Sequence, residues 1–141
     1  MTAPFAPRDI DHLVLRIRDL DRALAFYCGI LGCTVEKHQE AIGLMQVRAG
    51  RSLIDLVPLD GKLGLQGGAG PGKEGRNLDH FCLRVDPFDG PAILEYLRAN
   101  GVEPGNVESR YGAEGEGPSI YIADPDGNVV ELKGPPDQDR P

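Results

Sequence analysis

The chain has no paired cysteines, no long apolar run and no surplus of positive charge, and each absence removes a class of protein. Its cysteines, Cys28, Cys33 and Cys82, are odd in number, and none forms a Cys-x-x-Cys pair. The N-terminus lacks a charged region followed by an apolar run. These features predict a reduced, cytoplasmic protein. No stretch approaches the roughly 20 apolar residues of a spanning helix, so no membrane insertion is expected. The formal net charge is −7, which argues against nucleic acid and anionic membranes, since both attract an excess of Lys and Arg. A small-molecule partner is expected instead.

At 141 residues the chain is the size of one domain and long enough to bury a core without disulfides. Its 19 glycines and 12 prolines predict many loops, while strong apolar alternation elsewhere keeps it among globular proteins. The glycines concentrate in residues 59–77. The Gly-x-x-x-x-Gly-Lys-Ser/Thr order of a phosphate-binding loop is missing there, so the segment reads as a flexible connector. Lys73 and Arg76 lie within reach of an anionic substrate on that reading.

An internal duplication organises the rest. Asp11-His12-Leu13-Val14-Leu15-Arg16-Ile17 returns as Asp79-His80-Phe81-Cys82-Leu83-Arg84-Val85, with 68 positions between His12 and His80. Each copy runs into a helical stretch and ends in a β-rich segment carrying one acidic residue, Asp55 or Glu131. In the first half, strands are predicted at Ile10–Ile17, Cys33–His38, Leu44–Arg48 and Ser52–Val57. Asp19 caps the intervening helix, whose stripe Leu20, Leu24, Tyr27 and Leu31 covers the Leu13/Leu15/Ile17 face. His12 then points to the opposite face, and parity permits Asp55 to join it. In the second half, a helix is predicted over Phe88–Asn100, with strands at Val102–Glu108, Ser119–Ala123 and Asn128–Lys133. The last two are joined by the turn Asp124-Pro125-Asp126-Gly127. His80, Cys82 and Arg84 share one strand face, as do Val129, Glu131 and Lys133. Phe26, Tyr27, Phe81 and Tyr96 read as packing groups, His38 as a surface residue, Cys82 as a small buried residue, and the tail 134–141 as flexible.

Two histidines and two carboxylates at equivalent places form a candidate metal shell. Mixed nitrogen and oxygen donors suit Ni, Co, Mn, Fe or Zn more than Cu(I). The ion's charge would act as a Lewis acid on a substrate with adjacent oxygens, stabilising an enolate formed by proton removal beside a carbonyl.

The motifs Ile10-Asp11-His12, Ala25-Phe26-Tyr27 with Leu31-Gly32, Leu78-Asp79-His80 and Tyr121-Ile122-Ala123-Asp124-Pro125-Asp126-Gly127-Asn128-Val129-Val130-Glu131-Leu132 resemble those of the vicinal oxygen chelate superfamily, the glyoxalase/bleomycin-resistance/dioxygenase fold. The resemblance implies an α+β architecture of two tandem β-α-β-β-β modules whose curved mixed sheets surround a cavity. It places one domain over 9–133, with module one at 9–58, connector 59–77 and module two at 78–133. It implies His12, Asp55, His80 and Glu131 as ligands of one divalent ion, Glu131 as catalytic base, and a homodimer. Asp55 departs from the longer Glu or Gln at that position in glyoxalase I. Arg110 and Tyr121 fall where related single-domain proteins carry a substrate-contacting loop. Arg110 there either holds a carboxylate or phosphate or pairs with Glu108 or Glu114.

The expected activity is a glyoxalase-like lyase or isomerase. One alternative is a non-haem Fe(II) extradiol-type dioxygenase using His12, His80 and Glu131. The other is a metal-free drug-binding protein of the bleomycin-resistance kind.

Overall fold

A computed structural model of the chain describes residues 1–137. It divides into two compact units, Met1–Pro71 and Gly72–Pro141, each built on one four-stranded mixed sheet. The architecture is α+β, and both sheets are open rather than closed into barrels.

The first unit contains β1 (His12–Ile17), α1 (Leu20–Leu24), β2 (Thr34–Gln39), β3 (Leu44–Ala49) and β4 (Ser52–Pro58). Their order across the sheet is β1-β4-β3-β2. The outer pair β1 and β4 is parallel, and the other two pairings are antiparallel. Asp19 starts α1 as expected, its side chain accepting from the Arg22 amide at 2.9 Å. The helical path continues as a π-helical turn over Ala25–Ile30. Leu15, Ile17, Met45, Val47, Ile54 and Leu56 alternate onto one face of the sheet and are buried, together with Ala23, Phe26 and Tyr27 of the helical segment. This is the apolar face predicted for Leu15 and Ile17, and it leaves His12, Arg16, Asp55 and Gln46 on the other.

The glycine-rich stretch carries more order than its composition suggested. Gly64–Gly67 forms a 3-10 turn, and Arg16 holds it. The Arg16 guanidinium donates to the carbonyls of Gly64, Gly67, Gly68 and Ala69 at 2.6 to 3.2 Å, while Arg18 donates to Pro71. Glycine is needed for this fit. A Cβ on Gly67 would lie 2.5 Å from the Arg16 guanidinium carbon, and one on Gly64 would lie 1.9 Å from the Pro58 carbonyl oxygen.

The second unit repeats the plan with β5 (Phe81–Arg84), α2 (Gly90–Ala99), β6 (Glu108–Gly112), β7 (Gly115–Ala123) and β8 (Val129–Lys133). The sheet order is β5-β8-β7-β6. Asp89 caps α2, with Pro91 in its first turn where the missing amide has no helical partner to lose. Phe81, Leu97, Ile120, Ile122, Val130 and Leu132 form the buried set.

Five expectations need correction here. The strand predicted at Val102–Glu108 begins only at Glu108 and runs to Gly112. Pro104 and Gly105 interrupt the earlier segment, since proline has no amide to donate to a ladder. Consequently Arg110 lies on a strand of the β6–β7 hairpin rather than in a loop. Tyr96 is half exposed and is not a packing group. Cys82 is exposed rather than buried, although desolvation and the nearby Glu131 charge still push its thiol up to about 11. Of the expected flexible tail, residues 134–137 extend the pairing against β7, the Gly134 amide donating to Pro118 at 2.8 Å and that of Asp137 to Glu116 at 2.7 Å. Residues 138–141 lie outside the described residues. His38 is at the surface, as expected.

Two outcomes follow from these contacts. Arg16→Met should speed hydrogen exchange of amides in 64–69 and cost about 1–3 kcal/mol in denaturant unfolding, because several carbonyls lose a charged donor. Cys33 is buried, and desolvation pushes its thiol up to about 11. It should therefore resist alkylation at pH 8 in the folded protein and react on denaturation, as read by mass spectrometry.

Candidate metal centre

Each unit delivers one imidazole and one buried carboxylate to the open face of its sheet. In the first, β1 pairs with β4 so that Val14 lies opposite Asp55. β3 sets Gln46 opposite Asp55 on the other side. His12, two residues before Val14 and therefore on its face, brings Nε2 to 4.0 Å from Asp55 Oδ2. Asp55 is 4% exposed and accepts from the Gln46 amide at 3.2 Å.

In the second unit, Cys82 lies opposite Glu131 across β5 and β8, and Tyr121 lies opposite it across β7 and β8. His80 Nε2 stands 3.3 Å from Glu131 Oε1, and Glu131 is 6% exposed. The Asp124–Gly127 turn fixes this register. One Asp124 carboxylate oxygen accepts the amides of Asp126 and Asn128, and the other accepts the Asn128 side chain, all at 2.8 Å. The Asn77 side chain donates to that of Asn128 at 3.0 Å, which ties the approach to β5 into the same turn.

The aspartate before each histidine performs a task that sequence reasoning missed. His12 Nδ1 is 2.8 Å from Asp11 and His80 Nδ1 is 2.6 Å from Asp79. An ionised carboxylate only accepts hydrogen bonds, so Nδ1 carries a proton, and in the neutral ring it is Nε2 that presents a lone pair. The His80 hydrogen bond correspondingly holds the Asp79 carboxyl below the usual range. The His12 imidazole is shifted upward, first by its hydrogen bond to Asp11 and then by the Asp55 charge. The repeated Asp-His dipeptide was the available signal. Its function shows only when the side chains are seen to meet.

A cation fits this chemistry. In each unit Nε2 and a carboxylate oxygen face each other, an arrangement that for the neutral ring is repulsive unless a proton or metal lies between them. Asp55 and Glu131 are buried without an arginine or lysine ion pair among the described residues. The structure thus brings His12 to Asp55 and His80 to Glu131. Among the described residues, no three His, Cys, Asp or Glu side chains gather as a ligand set.

Beside the second pair, Tyr121 meets the His80 ring edge-on at a centroid distance of 5.3 Å. The Arg110 guanidinium sits 4.2 Å above the Tyr121 ring. Arg110 donates to the Ser119 hydroxyl at 2.6 Å, the Ser119 carbonyl at 3.2 Å and Glu108 at 2.6 Å. The expected pairing with Glu108 therefore exists, whereas Glu114 pairs with Arg84 at 2.7 Å.

Residues 9–132 match the Glyoxalase/Bleomycin resistance protein/Dioxygenase superfamily, and the chain belongs to that family. It is 30% identical to Virulence protein STM3117 of Salmonella typhimurium, over 87% of this chain and 81% of that protein. The crystal structure of that protein superimposes with a TM-score of 0.74, covering 93% of this chain and 99% of the other at 23% identity. The chain is also 32% identical to a lactoylglutathione lyase of Salmonella typhimurium, over 86% of this chain and 88% of that one. With human mitochondrial methylmalonyl-CoA epimerase it shares 28% identity, over 88% and 72% of the two chains.

If the aspartates orient the imidazoles, Asp79→Ala should weaken nickel binding about 10–100-fold while circular dichroism stays native. An unchanged dissociation constant would mean that His80 needs no such partner.

Proposed function

We propose that the protein is a cytoplasmic, divalent-metal-dependent enzyme performing glyoxalase-like lyase or isomerase chemistry on a small molecule with two neighbouring oxygens. His12, Asp55, His80 and Glu131 are its ligands for Ni, Co, Mn, Fe or Zn, and Glu131 is the catalytic base. The observation that carries this reading is the duplicated imidazole geometry, in which an aspartate claims Nδ1 and leaves Nε2 facing a buried carboxylate. Two neutral imidazoles and two carboxylates balance a divalent charge. When bound, such an ion supplies Lewis acidity to the paired oxygens of the substrate.

The protein's own groups carry the remaining work. His12 and His80 hold their ring planes through Asp11 and Asp79. Glu131 stands on the open face between Cys82 and Tyr121, where its carboxylate takes a proton from a carbon beside a carbonyl and returns it. Tyr121 and Arg110 bind the substrate at the side of that carboxylate. Similarity to a lyase and an epimerase supports proton-transfer chemistry of this class.

One observation favours a second reading. Asp55 stands farther from its imidazole than Glu131 does from its own, 4.0 against 3.3 Å, and is already bonded to Gln46. If Asp55 is not a ligand, His12, His80 and Glu131 form the two-histidine, one-carboxylate set of Fe(II) oxygenases. Iron-dependent oxygen uptake with a catechol would mark that activity.

Elemental analysis of protein purified without chelator tests the proposal, beside His12→Ala, His80→Ala and Glu131→Ala. Each substitution should weaken metal binding at least tenfold, roughly 1.4 kcal/mol or more. Full occupancy in Glu131→Ala would remove the assignment of Glu131. A wild-type protein that takes up none of the five metals would point instead to metal-free ligand sequestration. A homodimer belongs to the same proposal, and sedimentation equilibrium checks it.

A further inference from the structure

We propose that the open face of the second unit carries an anion subsite beside His80 and Glu131, with Arg110 as the direct contact and Lys133 as a buried charge behind it. The substrate is then an acid, a small molecule whose carboxylate or phosphoryl group lies a few bonds from its neighbouring oxygens. The placement of those oxygens rests on the metal reading above, whereas the anion subsite stands on its own geometry.

Arg110 is held and still open. Its guanidinium lies on the Tyr121 ring, is bonded by Ser119 and Glu108, and keeps 23% of its side-chain surface exposed. The ring contacts run from His80 to Tyr121 to Arg110, so the positive charge stands next to the imidazole pair rather than at a remote edge. Glu108 faces Arg110 but is 63% exposed, so solvent weakens its hold. A fixed, partly desolvated guanidinium is suited to two anionic oxygens in one plane.

Lys133 is the second observation. It is 6% exposed, and its ammonium donates to the carbonyls of Arg110 at 2.7 Å and Gly117 at 3.3 Å. Among the described residues it has no carboxylate within ion-pair distance. Two glycines make room for it: a Cβ on Gly112 would lie 2.6 Å from Lys133 Cε, and one on Gly117 would lie 3.2 Å from Nζ. Two carbonyls accept from the ammonium but carry no negative charge to balance it, and a bound anion nearby would supply that balance. Its donation to the Arg110 carbonyl also fixes the backbone from which the guanidinium projects. Arg84, by contrast, already spends its charge on Asp86 and Glu114. In a chain with net charge −7, Arg110 and Lys133 set two cations on one sheet of the second unit, joined through the Arg110 carbonyl.

The test is isothermal titration of the full-length protein with inorganic phosphate and, separately, malonate at low salt, both as purified and after chelation. Wild type should bind at least one of them. Arg110→Gln should weaken that binding at least tenfold in both metal states, Arg110→Lys should restore part of it, and Lys133→Met should weaken it if that variant folds. Nickel uptake by Arg110→Gln should stay within twofold of wild type. Preference for phosphate marks a phosphoryl substrate, and preference for malonate marks a carboxylate. Equal anion affinity in wild type and Arg110→Gln, or no binding of either probe, would overturn the subsite and leave the metal reading untouched. Conversely, His80→Ala that loses nickel yet still binds the anion would support the subsite alone.

Discussion

The hydrogen bond between each histidine and the aspartate before it is the constraint on which the candidate chemistry depends. An imidazole alone has two interchangeable nitrogens and a freely turning ring. Once Asp11 or Asp79 accepts from Nδ1, only one lone pair remains, and it points along the sheet toward a buried carboxylate. Because the partner is the adjacent residue, this orientation is secured locally and travels with the dipeptide. The duplication therefore carries an oriented imidazole in each half rather than a bare histidine.

Sheet register supplies the rest of the geometry. The parallel pairings of β1 with β4 and β5 with β8 put the acidic residue of each closing strand beside the histidine at or just before the start of each opening strand. A slip of one residue would turn Asp55 or Glu131 into the apolar face. The buried sets Leu15, Ile54 and Leu56 in one unit and Phe81, Val130 and Leu132 in the other resist that slip. Packing on the covered face thus fixes what the open face presents.

Much of this was legible in the amino-acid order. Period-two alternation separated His12 from Leu15 and Ile17, and Asp19 announced its helix, because both signals act over a few neighbouring residues. What depended on distant partners was harder to read. Arg110 was expected on a loop, yet it lies on a hairpin strand in which Gly112 and Gly117 leave room for the Lys133 side chain. Glycines at 64 and 67 suggested a slack connector, yet they allow close approach of Pro58 and the Arg16 guanidinium. In both places a missing side chain serves a neighbour far along the chain, and composition alone reads such a gap as freedom. The bond from Arg110 to Ser119 and that from Gln46 to Asp55 were hidden for the same reason, since each joins separate strands, whereas the Glu108 partner, two residues away on the same strand, was foreseen.

Arg16 and Arg84 descend from one position of the repeat and no longer do one job. The first grips four carbonyls of a glycine turn, and the second binds acidic side chains at Asp86 and Glu114. The two copies have thus kept the Asp-His dipeptide in common while their other contacts diverged. A surface carried by such halves can change by remodelling the neighbours of one copy, with the dipeptide itself left as inherited.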